Sequence, residues 1–314
     1  MNRLEIWQVL IVFLTLGSIT RAGVISIEEE NDFFAYRHKD QFYTQGLLLS
    51  YKGDERISTN GIRNWSIYGF RNQFYTPKNI SIPTPQPDDR PWAGMTAVSK
   101  TDWEVTSKNS TMTEYLVGVV GAWSLSEQIQ TTVHKWIDSE TPMGWSNQIP
   151  NEIVVNVTRR WFYPRAFYGS RNSWCADATE IYGGSLGNAF VNAEVAALFR
   201  AGYRVPSEYK TEIITPTLTR HNRFSFYGTV EVEGRAVFQN IMLGGSLFTD
   251  GPQQELKSFV SDIKYGLCAG IEQPLGLPAD LSFSWVLVHR SFEFIGQDEP
   301  ADFGCLTLSL SGGF

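Results

Sequence analysis

The sequence predicts an all-β protein, a twelve-stranded antiparallel transmembrane β-barrel with a short helix in the third extracellular loop. Three observations predict this fold class. A secretory signal precedes the domain, apolar and small polar residues alternate with a period of two, and the chain ends on Phe314, flush with its last strand.

The composition narrows the class of protein further. The chain has 314 residues, of which 42% are hydrophobic, 14% aromatic and 19% charged, so a disordered chain is excluded. The net charge is −7, from 26 Lys and Arg against 33 Asp and Glu, which argues against a nucleic-acid partner. Three cysteines are too few for a disulfide scaffold.

Residues 1–22 have the pattern of a signal peptide. Arg3 supplies positive charge, residues 6–16 are almost all apolar, and Ala22 is a small residue at the expected cleavage point. The apolar run is too short for a membrane-spanning helix. We therefore predict a signal peptide over 1–22, cleaved near Ala22, and a barrel domain over 23–314 in the bacterial outer membrane.

Twelve segments have strand character. In the last of them Leu306 and Leu308 alternate with Thr307 and Ser309, a pattern that favours a barrel with lipid outside over a secreted sandwich. The segment 189–201 is also compatible with a helix. A C-terminal aromatic residue resembles the assembly signal of outer-membrane barrels. The predicted strands span 23–31, 42–53, 63–75, 91–105, 112–123, 151–164, 173–187, 190–203, 223–240, 256–271, 280–293 and 303–314.

The connection 124–150 is the longest and contains the predicted helix. Ser124 and Glu127 have the spacing of a capping box, which predicts that Ser124 is the N-cap. A helix from residue 125 places Gln130, His134 and Asp138 on one face.

Polar residues concentrate in the first three connections that face outward. The up-and-down topology brings them to one rim. His134 is a candidate general base, and Asn31 and Asp32 offer oxygen ligands that suit Ca²⁺. An ordinary surface histidine and an Asn-Asp turn remain the alternatives at these positions. The further candidates at this rim are Thr44, Lys78, Arg90 and Gln130.

Two other patterns suggest little chemistry. Residues 183–187 match G-x-S-x-G, but the strand–turn–helix context of a nucleophile elbow is missing, so we expect barrel glycines there. Cys175, Cys268 and Cys305 fall on separate strands, which leaves room for one disulfide and one free thiol.

Several blocks in order resemble the lipid A 3′-O-deacylase family of outer-membrane proteins. They cover most of residues 23–165, whereas the C-terminal half resembles the family mainly in its strand pattern. The blocks are Glu30-Asn31-Asp32-Phe33-Phe34, Tyr43-Thr44-Gln45-Gly46, Phe74-Tyr75-Thr76-Pro77, Asp89-Arg90-Pro91-Trp92-Ala93-Gly94, Gly121-Ala122 before Gln130 and His134, and Gly144-Trp145-Ser146-Asn147-Gln148 with Asn151-Glu152.

The resemblance implies a twelve-stranded barrel that binds Ca²⁺ and hydrolyses the ester of the 3′ acyloxyacyl chain of lipid A. It implies that His134 is the base and that an acid six residues later is Glu140. The family's further site residues match Asn31, Asp32, Thr44 and Gln130, and Lys78 lies in the loop that supplies a lysine in characterised members.

The function predicted from the sequence is therefore Ca²⁺-dependent lipid A deacylation by a monomer in the outer membrane, with lipopolysaccharide as substrate. In this interpretation, Lys78 or Arg90 pairs a lipid A phosphate. Two alternatives stay open: another outer-membrane lipid esterase such as a phospholipase, and a barrel without enzymatic activity.

Overall fold

The structure, a computed structural model, describes residues 22–35, 42–207, 224–274 and 279–313. Within these residues one sheet contains all the strands, and helix α1 (Ser126–Ile137) lies in the chain segment that connects the sixth strand to the seventh. The strands are β1 (Ala22–Asn31), β2 (Phe42–Lys52), β3 (Arg56–Ile57), β4 (Arg63–Thr76), β5 (Ala93–Val105), β6 (Ser110–Val120), β7 (Glu152–Gly169), β8 (Trp174–Gly187), β9 (Phe190–Tyr203), β10 (Phe224–Asn240), β11 (Phe259–Ile271), β12 (Asp280–Arg290) and β13 (Ala301–Gly313).

The sheet closes into a ring. Strand β1 pairs with both β2 and β13, and β2 pairs with β4, so twelve long strands form a continuous antiparallel barrel. Strand β3 has two residues and pairs only with β4. The predicted twelve-stranded antiparallel barrel is confirmed, and residues 190–203 form strand β9 rather than a helix.

Alternation along each strand separates the lumen from the outer surface. In β13 the side chains of Thr307 and Ser309 are buried, whereas Leu306 and Leu308 are partly exposed on the outside. Since neighbouring residues of a strand point to opposite faces, one period-2 pattern gives a polar lumen and an apolar exterior. Exposed apolar side chains recur around the barrel, among them Leu49, Phe70, Val98, Val117, Val155, Val195, Phe199, Phe226, Val232, Leu267 and Phe283.

Ion pairs fill much of the lumen. The carboxylate of Asp262 accepts hydrogen bonds from Arg235 and Arg290, with N···O distances of 3.0 Å to each. Buried charges are tolerated when they are paired, so this network allows a charged interior. A cavity of about 240 Å³ remains between these side chains. Further lumen pairs are Arg71–Glu114, Arg160–Glu194, Arg200–Asp177, Lys264–Glu231 and Lys264–Glu233.

Replacing Asp262 with alanine is expected to destabilise the barrel by about 3–5 kcal/mol, because Arg235 and Arg290 lose the buried carboxylate that they share. Urea unfolding in lipid vesicles measures this change. Asp102→Ala is the matched control, since Asp102 pairs with exposed Lys100 and exposed pairs contribute little to stability. Equal losses of stability in the two variants would contradict the role given to the lumen network.

Further predictions concern the signal peptide, the cysteines and membrane-spanning helices. Residues 1–21 of the predicted signal peptide lie outside the described residues, and so does Phe314. Ala22, the last residue of the predicted signal peptide, begins β1. The three cysteines are all described and buried, and none of them forms a disulfide with another. No helix in the described part of the chain is long and apolar enough to cross a membrane.

The G-x-S-x-G segment lies within β8 and its last residue ends that strand. The Ser185 hydroxyl bonds to the Thr158 hydroxyl of the neighbouring strand at 2.8 Å. As predicted, the segment is therefore part of the barrel wall and forms no nucleophile elbow.

The two ends of the barrel differ. Ala22 pairs with Gly313, so the start of β1 and the end of β13 meet at one end. The connections after β1, β4, β6, β8, β10 and β12 lie at the other end, which we call the loop rim. Helix α1 belongs to the loop rim, and so do all the candidate site residues.

Candidate functional site

The first part of the site lies where β1 ends. A 3₁₀ turn (Asp32–Phe34) follows the strand, and the amide oxygen of Asn31 caps it by accepting a hydrogen bond from the Phe33 N–H at 2.8 Å. The Asp32 side chain is buried, and the turn packs against β13 and β2. The turn thus holds an amide oxygen and a carboxylate at the loop rim.

Thr44 lies beside this turn on β2. The pairing register of β2 with β4 shifts between Tyr43 and Gln45, so Thr44 forms a β-bulge. Bulges near sites change the direction of a side chain. The hydroxyl of Thr44 is buried and lies 2.7 Å from the hydroxyl of Thr76, the last residue of β4.

Helix α1 is attached to the barrel wall through its N-terminal end. The Asn72 amide donates hydrogen bonds to the Ser124 carbonyl at 3.2 Å and to the Ser126 hydroxyl at 3.3 Å. Thr96 donates to the same carbonyl at 2.6 Å. Since Asn72 lies on β4 and Thr96 on β5, these two strands fix where the helix starts.

A glycine makes this close approach possible. A Cβ atom on Gly94 of β5 would lie 2.3 Å from the Ser126 hydroxyl and 2.5 Å from the Ser124 hydroxyl. Any larger residue at position 94 would therefore push α1 away from the wall.

The start of α1 differs from the prediction. Residues Gly121–Ser124 form a 3₁₀ turn, and the Ser124 hydroxyl donates to the Gly121 carbonyl at 2.6 Å. The N-cap is Leu125, in the left-handed region at φ 60°, and its own side chain makes no capping hydrogen bond. The predicted N-cap at Ser124 is wrong because Ser124 ends the preceding 3₁₀ turn, so the helix begins one residue later, after Leu125.

One face of α1 contacts the barrel. Gln130 and His134 are buried on this face, one helical turn apart, as the spacing predicts. Asp138 does not join them, because it is the C-cap in the left-handed region and its side chain is exposed. The apolar residues Trp136 and Ile137 are exposed.

A backbone carbonyl orients the His134 ring. His134 Nδ1 hydrogen-bonds to the Glu140 carbonyl oxygen. A carbonyl only accepts, so Nδ1 must carry the proton, and Nε2 is then the basic nitrogen. The Glu140 side chain is exposed, so the contact with His134 comes from the backbone, and the predicted role of Glu140 in substrate binding stays a prediction.

Gln130 contacts a residue that the sequence argument did not single out. The Trp145 indole N–H donates to Gln130 Oε1 at 2.8 Å, and both side chains are buried. Trp145 packs against Phe74 and Trp92, with ring centroids 5.9 Å and 5.1 Å apart. The Gly-Trp-Ser-Asn-Gln block contained this residue, but only the fold places it beside Gln130.

Lys78 lies at the exposed surface of the loop rim. Its ammonium group is 3.0 Å from Asp298 and 2.8 Å from Glu299 in the connection after β12. Hydrogen bonds from Lys78 to Glu299 and Asp298 raise the pKa of the lysine above its ordinary value. Exposed pairs of this kind are weak, so an anionic ligand can displace the two carboxylates.

Arg90 is placed differently from Lys78. Its side chain is 1% exposed. The guanidinium carbon lies 4.2 Å from the centroid of the Tyr75 ring, and Nη1 lies 3.5 Å from a carboxylate oxygen of Glu293. Burial lowers the pKa of its guanidinium below the ordinary value. The sequence did not predict this burial, and the pairing of Arg90 with a lipid phosphate stays a prediction.

The fold and this rim define a class of protein: a β-barrel with an apolar exterior, a charged lumen and a loop helix that buries a histidine against the wall. The family model described as outer membrane protein LpxR matches residues 7–311. The chain therefore belongs to the LpxR family of outer membrane proteins.

The match with one solved structure supports the fold. LpxR from Salmonella typhimurium is 18% identical with a TM-score of 0.76, and the match covers 91% of this chain and 99% of that one. The beta domain of the Bordetella autotransporter BrkA is 11% identical with a TM-score of 0.41, over 93% and 98% of the two chains. A comparison with curated protein sequences gave no match.

Proposed function

We propose that the protein is a lipid A deacylase of the outer membrane that hydrolyses the ester of the 3′ acyloxyacyl chain. The observation that carries this proposal is the buried face of α1, where the Glu140 carbonyl fixes the proton of His134 on Nδ1. Membership of the LpxR family supports the same function. With the loop rim in the outer leaflet, the site reaches the ester of a membrane lipid without extracting the lipid.

His134 is the general base of the proposed reaction. Its Nε2 takes a proton from water while the water oxygen bonds to the ester carbonyl carbon. The bond from that carbon to the sugar oxygen then breaks, and the proton passes to the sugar oxygen. The products are the free acyloxyacyl acid and a sugar hydroxyl, and no acyl-enzyme forms.

Asn31 and Asp32 are the proposed ligands of Ca²⁺. An amide oxygen and a buried carboxylate fit this cation, which prefers oxygen ligands. The described residues hold no group of three or more His, Cys, Asp or Glu side chains arranged for a metal, so carbonyl oxygens, water and substrate would complete the site. When bound, the ion supplies positive charge at the ester carbonyl oxygen.

Two side chains are proposed to orient the substrate. Thr44 forms the bulge of β2 and precedes Gln45, which pairs with Asn31. Lys78 offers an exposed cation for a lipid A phosphate, because its surface ion pairs exchange readily. Arg90 has no part in this proposal.

The test uses purified protein in detergent with Ca²⁺, incubated separately with lipid A and with a diacyl phospholipid. Release of the 3′ acyloxyacyl acid from lipid A alone supports the proposal. Release of fatty acid from the phospholipid alone would show that the protein is a phospholipase. No hydrolysis of either lipid by folded protein would favour a barrel without enzymatic activity.

Gly94→Ala is expected to lower the rate of deacylation by about 10- to 100-fold, because the new methyl group displaces the start of α1 and with it His134. Gly228→Ala is the matched control, since a Cβ on Gly228 meets only a carbonyl oxygen at 3.8 Å. Initial rates on lipid A measure both variants. An unchanged rate in Gly94→Ala would show that the position of α1 does not control the reaction.

A further inference from the structure

The hydrogen bond between Trp145 and Gln130 fixes the orientation of the glutamine amide. An indole N–H only donates, so its partner must be the amide oxygen of Gln130. If the amide rotated by half a turn, its NH₂ group would face the indole N–H, and two donors would oppose each other. Because the indole N–H needs an acceptor, Oε1 of Gln130 faces Trp145 and Nε2 faces the opposite side.

Gln130 Nε2 is buried and has no hydrogen-bond partner in the described part of the chain. Native proteins rarely leave a buried donor unpaired, so such a group calls for an explanation. Gln130 lies on the same face of α1 as His134, one turn earlier. An acceptor that arrives with the substrate at this face would pair the NH₂ group.

Trp145 is held firmly enough to fix this amide. Its side chain is 1% exposed and packs between Phe74 and Trp92 in an apolar cluster that also contains Ile80. A Cβ on the preceding Gly144 would lie 2.4 Å from the Trp92 indole nitrogen, so the two indoles pack closely where this glycine leaves space. Loss of the Trp145 N–H would leave the Gln130 amide free to rotate.

We propose that Trp145 is a positioning residue that directs Gln130 Nε2 at the carbonyl oxygen of the ester under attack. Gln130 then donates a hydrogen bond to the oxyanion that develops on this oxygen when water adds to the carbonyl carbon. Trp145 itself touches neither the substrate nor His134 in this arrangement. The inference rests on the proposed function and adds a role for the glutamine amide and its indole partner.

The test compares Trp145→Phe with Trp92→Phe. Both variants lose one indole from the same apolar cluster, but the Trp92 indole nitrogen is buried and has no hydrogen-bond partner among the described residues. Only Trp145→Phe therefore removes a hydrogen bond. We expect Trp145→Phe to lower kcat on lipid A by about 10- to 100-fold with KM within about twofold, and Trp92→Phe to change kcat by less than about threefold.

A double-mutant cycle with Gln130→Met separates positioning from packing. If Trp145 acts through Gln130, the Trp145→Phe substitution lowers kcat no further in the Gln130→Met background. Heat-modifiable migration on gels confirms that each variant is folded.

Equal losses in Trp145→Phe and Trp92→Phe, or losses that multiply in the double mutant, would overturn the inference while the proposed function stands. A folded wild-type protein that leaves lipid A intact would instead overturn the proposed function, and the inference with it.

Discussion

Replacement of His134 with alanine is expected to lower the rate of lipid A deacylation by about 10²- to 10⁴-fold, the usual contribution of a general base. The alanine variant keeps α1 but has no group that takes the proton from water. The Glu140 carbonyl, which orients the ring in the wild type, loses its hydrogen-bond donor. Initial rates of fatty acid release from lipid A in detergent measure the effect.

His289 provides the matched control for this substitution. It is the other histidine among the described residues, and it pairs with Asp302 on neighbouring strands of the barrel. We expect His289→Ala to leave the rate within about twofold of wild type, because exposed pairs contribute little. A His134→Ala variant that retains the wild-type rate would exclude His134 as the base.

Removal of Ca²⁺ is expected to abolish deacylation, and added Ca²⁺ to restore it. Asp32→Asn keeps the shape of the side chain but loses its charge, so the Ca²⁺ concentration for half-maximal activity should rise by about tenfold or more. The measurement is the initial rate on lipid A over a series of Ca²⁺ concentrations, after treatment with a chelator.

Asp88→Asn is the control for the loss of one carboxylate at the loop rim. Asp88 is exposed in the connection between β4 and β5. We expect its Ca²⁺ dependence to match that of the wild type. Activity that survives the chelator in the wild-type protein would show that the reaction needs no Ca²⁺.

The barrel itself was predictable from the sequence because it follows from the alternation of neighbouring residues along each strand. Alternation such as that of Leu306 to Ser309 requires one polar and one apolar face, and twelve such segments that run up and down in chain order close into a ring. The pairing of Gln130 with His134 on one helix face follows equally from spacing alone.

The details of the rim depend on contacts between distant segments. The guanidinium group of Arg90 is of a kind that binds phosphate, but only its packing against Tyr75 and Glu293 shows that it is buried. Ser124 has the spacing of an N-cap, yet it ends a 3₁₀ turn that begins at Gly121, and Leu125 is the N-cap. The partner of Gln130 is fifteen residues away in a loop without regular periodicity, so spacing did not identify Trp145.

The most direct test of the proposed function is mass spectrometry of lipid A from cells that express the wild-type chain, beside cells that express His134→Ala. We expect lipid A to lose the mass of the 3′ acyloxyacyl chain in the first cells and to stay intact in the second. Intact lipid A in the first cells, together with no release of this chain from lipid A by the purified wild-type protein with Ca²⁺, would contradict the proposal.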